Sequence, residues 1–197
     1  MLKLIFPFAQ NSIIKGFTLI ELMVSVSIVA ILTAIAAPSF SDFIVEMRVD
    51  NEISRLQRLL LTARNHAITM QSPVTLCPLN EQNQCTSQWQ DEIGVFIDSN
   101  DNKIYEPASN EVLIAMKDFA FEGDRLQYGL RRNRIKFAPT GRTTGWGSNG
   151  TLKYCPRNHN DHSRAIVIST SGRFYSSRDI NGDGRDQIRN GGNIICR

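Results

Sequence analysis

The fold of this chain is decided by the stretch Lys15-Gly16-Phe17-Thr18-Leu19-Ile20-Glu21. This stretch opens an apolar run that continues to Ala37, and Glu21 is the only charged residue in that run. The 21 residues from Phe17 to Ala37 are enough for a helix to cross a bilayer about 30 Å thick. An isolated charge in hydrocarbon costs at least about 2.5–3.5 kcal/mol, so Glu21 needs a compensating partner.

The same stretch, together with the later Pro38, resembles the prepilin signature of type IV pilins and type II secretion pseudopilins. The resemblance implies that residues 1–16 are a leader, which a prepilin peptidase removes between Gly16 and Phe17. Glycine suits the position before the cleaved bond because it has no side chain to obstruct the peptidase. The resemblance further implies that Phe17 becomes the N-methylated amino terminus of the mature chain.

Cleavage would create a cationic amine on Phe17, and this amine supplies the partner that Glu21 needs. If the Phe17 amine of one subunit meets Glu21 of its neighbour, both charges are compensated when helices bundle in a filament. This pairing assigns Glu21 an assembly role, with other pilin subunits as partners. The alternative is an acid that reaches the membrane surface near the helix end and has no role in assembly.

Residues 17–37 are therefore predicted to be a transmembrane and assembly segment, and residues 38–71 an amphipathic helix that continues it. Lysines precede the apolar run and none lies inside it. This orients the amino terminus to the cytoplasm. The resemblance to prepilins then implies that the helix lies in the bacterial inner membrane and the remainder in the periplasm, before assembly into a pilus. Pro38 removes a backbone donor and predicts a kink. Apolar residues at intervals of three and four predict the buried stripe Phe40, Phe43, Ile44, Met47, Ile53, Leu56, Leu60, Ala63 and Ala67.

Residues 72–197 are predicted to be a β-rich globular domain, because short segments alternate apolar and polar residues between turn signals. The predicted strands are 74–77, 94–97, 112–116, 126–130, 134–137, 151–155, 164–168 and 172–175. A long helix with an apolar stripe, followed by strands, predicts an α+β fold in which a mainly antiparallel sheet packs on the helix. This is also the pilin fold that the prepilin signature implies.

Four cysteines lie beyond the apolar run, Cys77, Cys85, Cys155 and Cys196. An even number of cysteines on the far side of a membrane anchor favours disulfides. Metal binding is the competing interpretation, but the cysteines lack zinc-knuckle spacing, and we predict neither a metal nor a cofactor. Three pairings are possible, of which Cys77–Cys85 with Cys155–Cys196 is the simplest.

The carboxy-terminal part of the chain is basic. From Arg125 onward there are 14 lysines and arginines and 4 acids, whereas the part before Arg125 has a net charge of −7. Such asymmetry is compatible with an anionic partner such as DNA, and also with a solvated face or an acidic neighbour in a filament. The candidate DNA contacts are Arg131, Arg132, Arg134, Lys136, Arg142, Arg173 and Arg178.

The segments 137–142, 152–155, 165–169 and 171–173 resemble the carboxy-terminal domain of the GspH/FimT family. The resemblance implies a minor pilin that supports pilus assembly, with twitching or DNA uptake as linked functions. Some FimT-type members are associated with DNA uptake through a Gly-Arg-x-Arg motif, whereas here Gly172-Arg173-Phe174-Tyr175 has tyrosine in place of the second arginine. The alternatives are a DNA-binding minor pilin for natural transformation and an H-type pseudopilin of type II secretion.

Two polar loops have the oxygen-rich spacing of calcium-binding loops. The loop 179–184 lacks the closing glutamate, because its twelfth position is Asn190, and the loop 98–102 is followed by Lys103 at its sixth position. We interpret both as loops in which Asp and Asn accept hydrogen bonds from the nearby backbone. No nucleophile elbow, phosphate-binding loop or metalloprotease motif occurs in the sequence, so we predict that the protein is not an enzyme.

Overall fold

The computed structural model describes residues 16–189 and 191–196, and inside its helix it leaves the side chains of 36–39 undescribed. The predicted leader, except Gly16, and the side chain of Pro38 lie outside this description. One long helix, α1 (Leu19–Thr69), comes first. In the described part of the chain eight strands follow, β1 (Val74–Pro78), β2 (Ile93–Ile97), β3 (Leu113–Lys117), β4 (Arg125–Tyr128), β5 (Ile135–Phe137), β6 (Gly150–Cys155), β7 (Arg164–Ile168) and β8 (Phe174–Ser176).

The strands form two four-stranded sheets in which neighbouring strands are antiparallel. The first sheet has the order β3-β2-β1-β5 and the second the order β4-β6-β7-β8. The prediction of a long helix followed by a mainly antiparallel β domain is confirmed, and each predicted strand is observed within a few residues. The sequence predicted one sheet, because alternation shows which side chains face inward but not which strands pair.

The part of α1 within the globular unit forms one wall of the hydrophobic core. Val49 and Ala63 have no exposed surface, and Leu56 is 1% exposed. They belong to one cluster with residues of both sheets, among them Val74, Leu76, Ile93, Leu126, Ile135, Leu152 and Ile166. Full burial of a Val, Leu or Ile side chain is worth about 1.5–3 kcal/mol, so this cluster holds the helix on the sheets.

The buried stripe of α1 differs from the predicted one before Ile53. Val45 and Val49 are buried, and from there the buried residues recur at intervals of three and four as far as Ala67. The prediction was wrong for four residues that are each at least 49% exposed, Phe40, Phe43, Ile44 and Met47. These four residues follow helical spacing among themselves. The step from Met47 to Ile53 is six residues, however, and does not fit intervals of three and four.

The amino-terminal part of α1 exposes its apolar side chains on all sides. Leu19 and Ile35 are 77% and 72% exposed, and Phe17, just before the helix, is 85% exposed. Among the described residues, no single helix is long and apolar enough to cross a membrane. Two segments of α1, Leu19–Ile35 and Phe40–Thr69, meet the requirements of length and hydropathy when they are taken together as a broken span. An exposed apolar surface of this length marks a site of contact with lipid or with other protein.

Both disulfides of the simplest predicted pairing are present. Cys77 pairs with Cys85 at a Cα–Cα distance of 5.4 Å, and Cys155 pairs with Cys196 at 6.1 Å. The first bond closes a loop at the end of β1, and the second ties the carboxy-terminal tail to β6. The disulfide prediction is therefore confirmed, and these four cysteines are not metal ligands because none is free.

Polar side chains fasten α1 to the end of β3 and to the connection that follows it. Lys117 Nζ lies 2.6 Å from Glu52 Oε1, and the two side chains are 3% and 10% exposed. Arg48 Nε lies 3.3 Å from Asp124 Oδ2, and the Tyr154 hydroxyl donates to the same carboxylate. Burial and the contact with Asp124 both raise the pKa of Tyr154, so the phenol stays a protonated donor at ordinary pH.

Candidate functional site

The start of α1 is fixed by reciprocal hydrogen bonds between Thr18 and Glu21. The Glu21 backbone N–H donates to Thr18 Oγ1 at 3.3 Å, and the Thr18 backbone N–H and hydroxyl each donate to Glu21 Oε2 at 3.4 Å. This is a capping box, in which two side chains satisfy amide groups that a helix start leaves unpaired. Sequence analysis missed this role of Thr18, although Thr-x-x-Glu before an apolar run is its signature.

The capping box holds the Glu21 carboxylate at the amino end of an exposed apolar helix. Glu21 itself is exposed, and Phe17 immediately precedes the capping residue Thr18. An ionised carboxylate has about four acceptor positions, so Glu21 can still accept a hydrogen bond from an ammonium group. The arrangement therefore leaves an exposed acid at the helix start with acceptor positions still available.

The predicted cleavage point is open to approach. Gly16 is exposed, and apart from its chain neighbours no atom of the described residues lies within 4 Å of the place that a Cβ would occupy. Pro38 lies inside α1, and the kink there stays a prediction.

Two members of the predicted basic surface, Arg134 and Lys136, are buried and only 8% exposed. Arg134 Nη1 and Lys136 Nζ both pair with Asp101 Oδ1, the lysine at 2.8 Å, and Arg134 Nη1 lies 3.8 Å from Asp98 Oδ2. Burial raises the pKa of Asp101, but hydrogen bonds from Lys136 and Arg134 outweigh it and leave that pKa below its usual value. These cations neutralise acids of the β2–β3 connection, so we remove them from the candidate DNA contacts.

Arg142 and Arg173 lie on two glycine turns that touch each other. A Cβ at Gly172 would lie 1.9 Å from the carbonyl oxygen of Gly141 and 3.3 Å from Arg142 Cα. Arg64 of α1 donates from Nε to the same Gly141 carbonyl at 3.0 Å. The side chains of Arg142 and Arg173 are exposed. Two exposed arginines thus stand on touching turns, and a third, half-buried, donates to one of these turns. These three residues are here called the arginine surface (Arg64, Arg142 and Arg173).

The remaining predicted arginines have other surroundings. Arg132 lies over the ring of Tyr128, and its guanidinium carbon is 5.6 Å from the ring centre. Its positive charge therefore already interacts with an aromatic ring of the domain. Arg131 and Arg178 are exposed. The structure therefore brings only some of the predicted basic residues together.

The polar loop 179–184 is organised by its own backbone. Asp179 accepts hydrogen bonds from the backbone N–H groups of Gly182 at 2.7 Å and Gly184 at 2.8 Å. A hydrogen bond from the Asn181 amide, and a second from a backbone N–H, lower the pKa of Asp183. The interpretation of this segment as a loop of local side chain–backbone hydrogen bonds is confirmed.

Comparison with known proteins gives two family matches. Residues 52–172 match the family described as Type II transport protein GspH, and residues 12–37 match the prokaryotic N-terminal methylation motif. The second match includes Gly16, Phe17 and Glu21. The first includes α1 from Glu52, all strands from β1 to β7, and the glycines of both touching turns, and it ends just before Arg173.

Individual relatives match this chain over only part of their length. The chain is 49% identical over 45 residues to the type IV major fimbrial protein FimA of Dichelobacter nodosus, and 41% identical over 60 residues to the type IV major pilin protein PilE1 of Neisseria gonorrhoeae. These alignments cover 23% and 30% of this chain and 28% and 33% of the relatives. The chain thus spans about a third of the length of the curated relatives it matches.

Among solved structures, the type IV minor pilin FimU of Pseudomonas aeruginosa (strain PAO1) is similar, with a TM-score of 0.50 and 15% identity. The match covers 64% of this chain and 86% of that chain, and it confirms the pilin fold. The GspH match extends over more than half of the chain, and the prepilin-type motif precedes it. The chain therefore belongs to the GspH family and is a type IV pilin-like protein.

Proposed function

We propose that the protein is a minor pilin that enters a type IV pilus filament through α1. The observation that carries this proposal is the exposed Glu21 carboxylate at the start of a helix whose apolar side chains are exposed on all sides. Bundling with the helices of other pilins covers that apolar surface, and a cation must then meet Glu21. The amine of a neighbouring Phe17, created by cleavage after Gly16, is that cation.

Before assembly, the apolar segment 17–37 anchors the protein in the inner membrane, with the globular domain in the periplasm. The prepilin peptidase removes the leader at the membrane face, where Gly16 is open to approach, and Phe17 is then methylated. The match of residues 12–37 to the methylation motif supports both steps. The mechanism is packing rather than catalysis, since Glu21 and Phe17 set the register between subunits.

Glu21→Gln separates charge pairing from capping, because glutamine keeps the capping box but removes the negative charge. We expect the leader to be cleaved normally in this variant and in Glu21→Ala. We expect the amount of either variant in sheared pili to fall at least about tenfold, because the Phe17 amine then has no counter-charge in an apolar bundle. Immunoblots of sheared pili and of membranes measure both quantities.

Ser25→Ala is the matched control for this experiment. Ser25 lies one turn further along α1, and its hydroxyl donates to the Glu21 carbonyl without providing a charge. We expect normal incorporation of the Ser25 variant. Wild-type incorporation of Glu21→Gln would contradict the charge pairing, and absence of the wild-type protein from surface pili would favour a pseudopilin of type II secretion.

The arginine surface supports a second function, the binding of DNA on the outside of the filament. Arg142 and Arg173 are exposed on touching turns, and the half-buried Arg64 donates to the carbonyl of Gly141, next to Arg142 in the chain. Phosphate groups bind arginines of this kind irrespective of base sequence, and each neutralised phosphate releases counterions. The Gly172-Arg173 turn resembles the start of the Gly-Arg-x-Arg motif of FimT-type proteins, but it provides one arginine instead of two.

The double variant Arg142→Gln/Arg173→Gln tests this second function. We expect it to weaken DNA binding by about tenfold in low salt and to reduce the salt dependence by about two counterions. Titration of labelled DNA with the detergent-purified chain at several salt concentrations measures both quantities. Arg185→Gln, which removes an exposed arginine from the polar loop, is the control. An equal loss in the control, or no DNA binding by the wild type at low salt, would reject the arginine surface as a DNA site.

A further inference from the structure

A groove lies between α1 and the connection that follows β3, and apolar side chains that reach solvent line it. Its volume is about 720 Å³. On the side of α1, Ile44 and Met47 are 49% and 54% exposed. On the side of the connection, Phe119 and Phe121 are 63% and 57% exposed. A contiguous exposed group of large apolar side chains marks a contact with another molecule.

The groove accounts for two residues that the predicted buried stripe placed in the core. Val45 and Val49 take the core positions of α1 instead, and Ile44 and Met47 lie on a different face. The residues of that face recur at intervals of three and four and line the groove. They are Ile44, Met47, Arg48, Asn51 and Arg55. In this part of the helix, α1 therefore has one apolar face packed on the sheets and a second one that is open.

The aromatic side of the groove is fixed by a cation. The guanidinium carbon of Arg48 lies 4.0 Å from the centre of the Phe121 ring. Arg48 is fixed in turn, because its Nε lies 3.3 Å from Oδ2 of the buried Asp124. An arginine over an aromatic ring is attracted by the negative face of that ring. The position of Phe121 is therefore defined by the fold.

Every charged side chain that lines the groove pairs with a group of the globular unit. The four pairs are Arg48–Asp124, Asp50–Arg164, Glu52–Lys117 and Arg55–Asp118. Among the described residues, the lining therefore offers no unpaired charge. A nucleic acid or an anionic membrane surface is held by free cations, which this lining lacks. An uncharged apolar segment fits the lining, because no charge is left without a partner when water is excluded.

We propose that the groove binds the uncharged apolar helix of a neighbouring pilin subunit in the filament. This partner is inferred on the basis of the proposed function, since the filament is what brings such a helix to the globular unit. Residues 22–35 of α1 show the chemistry that fits, because they include no charged residue and their large apolar side chains are 51% to 72% exposed. A helix in an apolar groove is held by its side chains at intervals of three and four. The groove provides the side chains of Ile44, Met47, Phe119 and Phe121 for that contact.

Photocrosslinking from the groove identifies the partner directly. In cells that assemble pili, we expect the variant Phe119→p-benzoylphenylalanine to crosslink to the apolar amino-terminal helix of another pilin subunit, identified by mass spectrometry. The same substitution at Trp146 is the control, because Trp146 is 81% exposed but does not line the groove. Crosslinks from position 119 to lipid alone, or to no other pilin, would overturn the proposal. Equal crosslinking to that helix from both positions would also overturn it.

Asn51→Asp tests the requirement for a lining without unpaired charge. Asn51 is exposed and lines the groove, and aspartate adds a charge of almost the same shape without a partner. We expect normal leader cleavage and a fall of about tenfold in the amount of this variant in sheared pili, because the bound helix buries the charge without a counter-ion. Asn65→Asp, at an exposed position of α1 outside the lining, is the control and should be incorporated normally.

Met47→Ser/Phe119→Ser tests the apolar contact itself. We expect the amount of this double variant in sheared pili to fall about tenfold, because two side chains no longer contribute apolar burial. Leu130→Ser is the control, since Leu130 is 92% exposed and lies outside the lining. Thermal unfolding of the detergent-purified double variant should give the wild-type midpoint, because Met47 and Phe119 are both more than half exposed.

The outcomes separate the groove from the proposed function. If the wild type is present in pili and both groove variants are incorporated normally, the groove is not a docking site, and the minor-pilin function still stands. Absence of the wild type from pili would overturn both. Asn51→Asp keeps every apolar side chain of the groove, so it decides the question if the double serine variant does not fold.

Discussion

Gly172→Ala is expected to destabilise the globular unit by about 3 kcal/mol or more. Gly172 has φ = 75°, a conformation that costs an alanine about 1–2 kcal/mol. Its Cβ would also lie 1.9 Å from the Gly141 carbonyl oxygen, so the backbone of one turn would have to move. Overpacking of this kind typically adds 1–3 kcal/mol. Denaturant unfolding of the detergent-purified chain, followed by near-ultraviolet circular dichroism, measures the loss.

Gly182→Ala is the control that isolates the contact between the two turns. Gly182 has φ = 77°, almost the value at Gly172, but in the part of the chain that the structure describes nothing lies within 4 Å of its Cβ position. We expect this variant to show the conformational cost alone, about 1–2 kcal/mol. Equal destabilisation by the two alanines would show that the turns separate without penalty. The arginine surface would then not be a fixed arrangement.

Lys117→Met is expected to destabilise the same unit by about 3–5 kcal/mol. The substitution leaves the Glu52 carboxylate buried and without its counter-ion, and an uncompensated buried charge carries a cost of this size. The reverse variant, Glu52→Leu, leaves Lys117 buried without a counter-ion and should lower the free energy of unfolding by a similar amount. The same unfolding measurement applies, at pH 7 and in moderate salt.

The double variant Glu52→Leu/Lys117→Met distinguishes a stabilising ion pair from mutual compensation. Replacement of both partners by apolar side chains is often neutral, so we expect the double variant to recover most of the stability that either single variant loses. The difference between the double variant and the sum of the singles is the coupling between the two residues. If the stability losses of the two single variants simply add in the double variant, Glu52 and Lys117 do not fasten α1 to the end of β3.

The architecture was predictable because its signals are local. A continuous apolar run followed by helical spacing gives a long helix, and period-two segments give the strands. The error in the buried stripe was avoidable, since Val45, Val49 and Ile53 continue the interval of three and four, whereas Met47 does not. Pairing of strands into two sheets depends on contacts between distant residues, which periodicity does not report.

The candidate sites also divide into those with a local sequence signal and those that depend on contacts between distant residues. Glu21 and the four cysteines are recognisable because a motif or a count points to them. The burial of Arg134 and Lys136 against Asp101 was not predictable, since no sequence spacing relates these residues. The meeting of two glycine turns is likewise a property of tertiary packing.

The disulfide between Cys155 and Cys196 makes the last part of the chain a covalent ring of sequence separation 41. A protease that cuts once between these cysteines therefore releases no fragment, because the sulfur bridge still joins the two pieces. The tail therefore stays attached to the globular unit after a single cut within the ring. Its release requires either a second cut or a reductant.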